Sequence, residues 1–119
     1  MEIDLSRPGV HEVPAWGGHF VVEPVSSGGI ACARLRRSQL RAREGGEQFQ
    51  FAPHSIERSL KKQFQARRIP AWHRDGPLLF DGSQLLYVPG LGIDARALAD
   101  IGSPQLRLCW ASGRRQAAG

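Results

Sequence analysis

No stretch of these 119 residues is long and apolar enough to cross a bilayer. A membrane-spanning helix needs roughly 20 consecutive apolar residues, and no run here approaches that, so no membrane association is expected. The segment from Met1 to Gly9 lacks the basic start and apolar stretch of a secretory leader. There is no low-complexity tract, and with 41% hydrophobic and 23% charged residues wholesale disorder is excluded. The chain is one domain's worth of sequence, or slightly less, with a small core. Cysteine is scarce. Cys32 and Cys109 are far apart, each in an apolar or alternating segment, so the expectation is two reduced, mostly buried thiols of a cytoplasmic protein. Four scattered histidines add no metal-ligand spacing. Neither GxxxxGK[ST] nor GxGxxG occurs.

Charge is present, and unevenly placed. Residues 34 to 74 hold eleven Lys or Arg against three Glu, a net +8 in a chain whose total is +5, while the rest is mildly acidic. A basic middle between acidic ends is an electrostatic footprint for a polyanion.

Turn signals divide the chain into short strands. His19 to Val25 and Ile30 to Leu35 read as strands joined by Ser26-Ser27-Gly28-Gly29. Leu40 to Arg43 and Gln48 to Phe51 read as a hairpin around Gly45-Gly46. Leu78 to Phe80 and Leu85 to Val88 flank Asp81-Gly82-Ser83-Gln84, a second hairpin signal, and Pro89-Gly90 ends its return strand. Ile93 to Ala99 suggests a helical turn. Gln105 to Trp110 alternates, with Leu106, Leu108 and Trp110 inward and Arg107 and Cys109 outward. The predicted architecture is β-rich α+β: sandwich-like antiparallel sheets with one packed amphipathic helix. Residues 1 to 37 read as the end of a preceding segment plus the first strands, 38 to 111 as the core, and 112 to 119 as a frayed tail.

That helix is expected over Ser55 to Arg68, capped by Ser55 and ended before Pro70. Ile56, Leu60, Gln63 and Phe64 fall on one side; Arg58, Lys61, Lys62 and Arg68 fall on the other. Arg67 lies on the apolar side at the end, where its stem can snorkel. Pro70 can open a second short helix through Trp72 to Asp75. The basic face suits a run of phosphates, contacts that position a nucleic acid without reading it. Arg41 and Arg43 lead into Gly45-Gly46, where backbone N–H groups can approach a phosphate.

Nothing reads as a catalytic centre. Ser27-Gly28-Gly29 echoes the SGGxDS loop of N-type pyrophosphatases, but Ala31 and Cys32 replace its aspartate and second serine, and no helix opens there to hold an anion. It reads as a plain turn. His54 and His73 sit beside helix starts and read as surface or capping residues. Trp72 and Trp110 read as core-filling rather than as base-stacking.

Five pieces then stand in order: Arg41-Ala42-Arg43-Glu44-Gly45-Gly46-Glu47, Arg58-Ser59-Leu60-Lys61-Lys62-Gln63-Phe64, Ile69-Pro70-Ala71-Trp72-His73-Arg74-Asp75, Pro77-Leu78-Leu79-Phe80-Asp81-Gly82 and Val88-Pro89-Gly90-Leu91. Over residues 38 to 94 the series resembles the C-terminal domain of bacterial tRNA(Ile)-lysidine synthetases, with Phe80 where tyrosine is common. The resemblance implies a domain akin to one in the β subunit of phenylalanyl-tRNA synthetase. It implies a parent enzyme that uses ATP, with Mg2+, to adenylate the wobble cytidine of a tRNA(Ile) with a CAU anticodon, after which lysine displaces AMP. It puts that chemistry in an N-terminal catalytic domain of the same polypeptide, so no cofactor, metal or catalytic residue is expected here. It gives this domain the role of gripping tRNA(Ile) by the acceptor stem, and it leaves a homodimer open. The motif-matched positions are Arg41, Arg43, Gly45, Gly46, Ser59, Lys61, Lys62 and Arg74; the basic face adds Arg58 and Arg68. The other reading is a stand-alone basic domain that docks a protein partner or another nucleic acid.

Overall fold

The computed structural model describes residues 1–70 and 75–113. Among them, all strand pairings are antiparallel. One five-stranded sheet runs in the order β1 (Glu2–Ile3), β5 (Ser38–Arg41), β8 (Leu78–Asp81), β9 (Gln84–Val88), β10 (Gly92–Ile93). A four-stranded sheet runs β2 (Gly9–Val13), β3 (Gly18–Val25), β11 (Gln105–Ser112), β4 (Ile30–Ala31). A small ribbon pairs β6 (Gln48–Phe49) with β7 (Arg58–Ser59). The helix proper is α2 (Leu60–Ala66); α1 (Cys32–Leu35) is a single turn. The β-rich, sandwich-like α+β expectation is borne out.

The two large sheets enclose one core. Phe20, Val22, Leu106 and Leu108 come from one sheet; Leu40, Leu79, Leu86 and Tyr87 come from the other. Phe20 sets its ring edge-on to Tyr87 at 5.9 Å and to Trp110 at 5.0 Å. The opposite face of the β8–β9 hairpin is also covered. There Leu78, Phe80, Leu85 and Val88 meet Phe49, Leu60 and Phe64. A hairpin buried on both faces has no reason to alternate apolar with polar residues, which explains the continuous runs Leu78-Leu79-Phe80 and Leu85-Leu86-Tyr87-Val88. Leu79 pairs with Tyr87 but Phe80 pairs with Leu85, so Leu86 has no partner across the ladder. This bulge turns Leu86 and Tyr87 together into the sandwich core and returns Val88 to the helix side.

Four expectations are corrected. Ile30 to Leu35 is a strand only over its first two residues. Cys32-Ala33-Arg34-Leu35 has no β-branched residue to favour a strand; it turns as α1, burying Leu35 and letting Arg34 reach Asp81 at 2.9 Å. The arms around Gly45-Gly46 do not pair with each other. β5 is taken between β1 and β8, and β6 pairs with β7. The helix begins at Leu60, not at Ser55. Arg58 and Ser59 are drawn into pairing with Phe49 and Gln48, so Ser55 caps no helix, and Ile56 is 77% exposed rather than packed. Finally, Cys109 is exposed and Cys32 half-buried, both free. The outward position of Cys109 beside Arg107 in β11 decides its exposure.

The hairpin turn at Gly82-Ser83, the 3-10 turn Ala95–Ala97 and the inward set Leu106, Leu108 and half-buried Trp110 agree with the sequence reading. The second short helix, with Trp72, His73 and Arg74, lies outside the described residues, as does most of the 112 to 119 tail; β11 runs through Ser112.

A basic rim built from two sequence motifs

Helix α2 is fixed at both ends by its own residues. Ser59 is the N-cap, its Oγ accepting the Lys62 backbone N–H at 3.3 Å. At the other end the Arg68 N–H donates to the Gln65 carbonyl at 3.1 Å, and the Ile69 N–H donates to the Phe64 carbonyl at 3.0 Å. That bond pair is a Schellman cap, which needs its outer residue in the left-handed region. Arg68 occupies that position at φ 53°, where glycine is usual. Ile69 packs against the cluster containing Phe64, the apolar contact that accompanies such caps.

Between the caps, Leu60, Gln63 and Phe64 are buried and Lys61 and Lys62 exposed, as the helical periodicity predicts. Gln63 is buried without penalty because its Nε2 donates to the Phe49 carbonyl at 2.8 Å.

The Arg41–Glu47 segment folds against this helix. The Leu60 N–H donates to the Glu47 carbonyl at 3.3 Å, and the Arg43 guanidinium lies 5.1 Å from the Phe64 ring centroid. Gly45 and Gly46 have φ of 101° and 84°, with open space where a Cβ would stand. The turn therefore requires glycine for its backbone angles and not for close approach. The Glu47 carboxylate accepts the N–H groups of Glu44 at 2.9 Å and Gly45 at 3.0 Å. Burial pushes this carboxyl upward, but those N–H bonds, its own N–H and the Arg43 charge outweigh it, and the net shift is below the usual glutamate value. The Gly45 N–H is thus already engaged by an anionic group of the chain itself.

Of the expected site residues, Arg43, Gly45, Gly46, Arg58, Ser59, Lys61 and Lys62 gather around the start of α2 and the β6–β7 ribbon. Arg68 stands at the helix end. Arg41, at the end of β5, is held separately: it stacks over Phe80 at 4.6 Å, a ring of the same apolar cluster as Phe64, and donates to Gln39 Oε1 and the Gly82 carbonyl. Arg74 lies outside the described residues.

Sequence reasoning missed two arginines. Arg67 stacks on Phe51, 3.4 Å from the ring centroid. Arg96 clasps the fully buried Asp94 through Nε (3.0 Å) and Nη2 (2.7 Å), reaches Glu57 at 3.1 Å and donates to the Gln48 carbonyl. It ties the ribbon and the approach to α2 onto the main sheet. The Asp94-Ala95-Arg96 spacing, an acid capping a short turn, was the available signal. Among the described residues no group of three metal-ligating side chains forms, and no helix is long and apolar enough to cross a membrane.

Fold and site define a β-sandwich module with one helix and a basic rim. Residues 38–110 match the family model described as the TilS substrate C-terminal domain, and the chain belongs to that family. The tRNA(Ile)-lysidine synthase of Burkholderia pseudomallei is 42% identical over 92 residues, 71% of this chain and 19% of that protein. The one from Ralstonia nicotianae is 40% identical over 90 residues, 74% and 20% of the two chains. The one from Nitrosomonas europaea is 37% identical over 109 residues, 80% and 24%. The chain spans about a fifth of the length of these relatives. The resemblance read from the motifs is borne out. No solved structure matches.

Proposed function

We propose that this domain grips tRNA(Ile) by its phosphates, at the acceptor stem, for a tRNA(Ile)-lysidine synthetase of the cytoplasm. Catalysis, with ATP and Mg2+, then belongs to another domain of the same polypeptide. In this reading residues 38 to 111 are the gripping core, and 1 to 37 supply strands that complete its sheets. The observation that carries it is the convergence of two separate motifs: Arg43 and Glu47, on either side of the glycine turn, contact the helix whose outer side carries Lys61 and Lys62. Neither lysine forms an ion pair among the described residues, so both remain available to phosphates. Such contacts give affinity and orientation with little sequence reading.

The test is a full-length synthetase with both lysines changed to Glu. The KM for tRNA should rise while those for ATP and lysine stay nearly constant, because the lost contacts are remote from the chemistry and hold ground and transition states alike. Unchanged KM for tRNA, or an equal change for ATP, contradicts the reading.

A further inference from the structure

Next to the lysine-bearing start of α2 lies a cleft of about 370 Å3, lined by Phe51, His54, Ile56, Arg58 and Arg67 together with small or polar neighbours. Its volume is near the lower end of the roughly 300–1,000 Å3 typical of small-ligand clefts. Its chemistry differs from that of the basic rim. Phe51 and Ile56 are 39% and 77% exposed, among the few large apolar side chains left open to solvent. Arg67 is seated directly over the Phe51 ring, so a cation and an aromatic face are already stacked before any ligand arrives. No carboxylate lines the cleft. Phe51 and Ile56 line this one cleft together. An aromatic ring, a stacked guanidinium and flanking cations together suit a planar base attached to an anionic backbone.

We propose that this cleft takes the base of an unpaired nucleotide adjoining the RNA duplex that the basic rim holds. The inference rests on the phosphate-grip reading and adds a second mode of contact. Continuity with the rim supports it: Ile56 and Arg58 also line the neighbouring cleft, of about 430 Å3, which contains Ser59, Lys62 and Glu57, whose carboxylate is paired with Arg96 at 3.1 Å. One strand can therefore keep its phosphates on Arg58 and Lys62 while one of its bases turns onto Phe51 and Arg67. Every base has a π-face, so the site favours single-stranded over paired residues and discriminates weakly among bases.

The experiment compares two RNA hairpins bound to the 119-residue chain, one blunt and one with a short single-stranded 3′ extension carrying 2-aminopurine. The extension should tighten binding about tenfold, the worth of one stacked base, and the 2-aminopurine fluorescence should be quenched on binding. Phe51→Leu should abolish both the gain and the quench while leaving affinity for the blunt hairpin unchanged; Phe51→Tyr should keep them. Equal binding of the two hairpins by the parent protein, or a gain that survives Phe51→Leu, overturns the base cleft and leaves the phosphate grip standing. Failure to bind either hairpin overturns both. The parent's own fluorescence decides the matter even if Phe51→Leu does not fold: no quench means no stacked base.

Discussion

Arg43 and Phe64 stand 5.1 Å apart, guanidinium over ring, and this contact, with the Leu60 N–H bond to the Glu47 carbonyl, joins a glycine turn to a helix that the sequence keeps well separated. Phe64 is fully buried against Phe49, Leu60 and the outer face of the β8–β9 hairpin, so the ring both anchors α2 and seats the arginine. The basic rim is built on this second, smaller core and not on the sandwich core.

Phe64→Ala should therefore cost about 3–5 kcal/mol, read as a large drop in thermal midpoint. Ile56→Ala, at a residue that is 77% exposed, should change stability by no more than about 0.5 kcal/mol. Equal effects of the two substitutions would mean that the helix packs as its sequence period alone suggests, with Ile56 inside.

Arg68 carries a left-handed backbone at the Schellman cap of α2. Arg68→Gly should stabilise the domain by about 1 kcal/mol in denaturant unfolding, because glycine adopts that φ without steric cost. The same substitution should weaken RNA binding by removing a cation. A destabilised Arg68→Gly protein would show that the arginine side chain holds the fold together.

Tyr87 is the only tyrosine in the chain, so tyrosinate absorbance reports on it alone. Its hydroxyl accepts the Trp110 N–H at 2.9 Å, and burial pushes its pKa up to about 12. The unfolded chain should ionise near the ordinary value of 10. A group whose folded pKa is raised contributes stability that is complete below the unfolded pKa and lost as pH climbs through the folded one. Stability should thus decline between about pH 10 and 12, and Tyr87→Phe should flatten that decline. Titration of the folded protein with a midpoint near 10 would place the hydroxyl in water.

Much of the fold was legible because its signals were local. The Gly82-Ser83 hairpin turn, the Leu106–Leu108 alternation and the exposure of Lys61 and Lys62 each follow from a few neighbouring residues. What the sequence hid was decided by partners distant along the chain. The helical period extends back through Ile56, but pairing of Arg58 with Phe49 and the Arg96–Glu57 ion pair hold that segment out of the helix. Gly45-Gly46 looked like a hairpin tip, yet β1 and β8 claim the preceding strand and β7 the following one. At the candidate site the cations were visible as charge. The Arg67–Phe51 stack was not, because it joins residues from separate local elements and depends on a turn of the chain that no short motif specifies.

If Lys61 and Lys62 hold RNA through phosphates, binding must carry their salt signature. The most direct test is tRNA affinity of the chain against salt concentration, for the parent and for the Lys61→Glu, Lys62→Glu double variant, with circular dichroism showing both folded. Each phosphate contact releases counterions, so log affinity falls linearly with log salt. The double variant should bind many tRNAs more weakly alike, with a salt slope shallower by about two, one for each lysine lost. A folded double variant that keeps the parent's affinity and salt slope would contradict the phosphate grip.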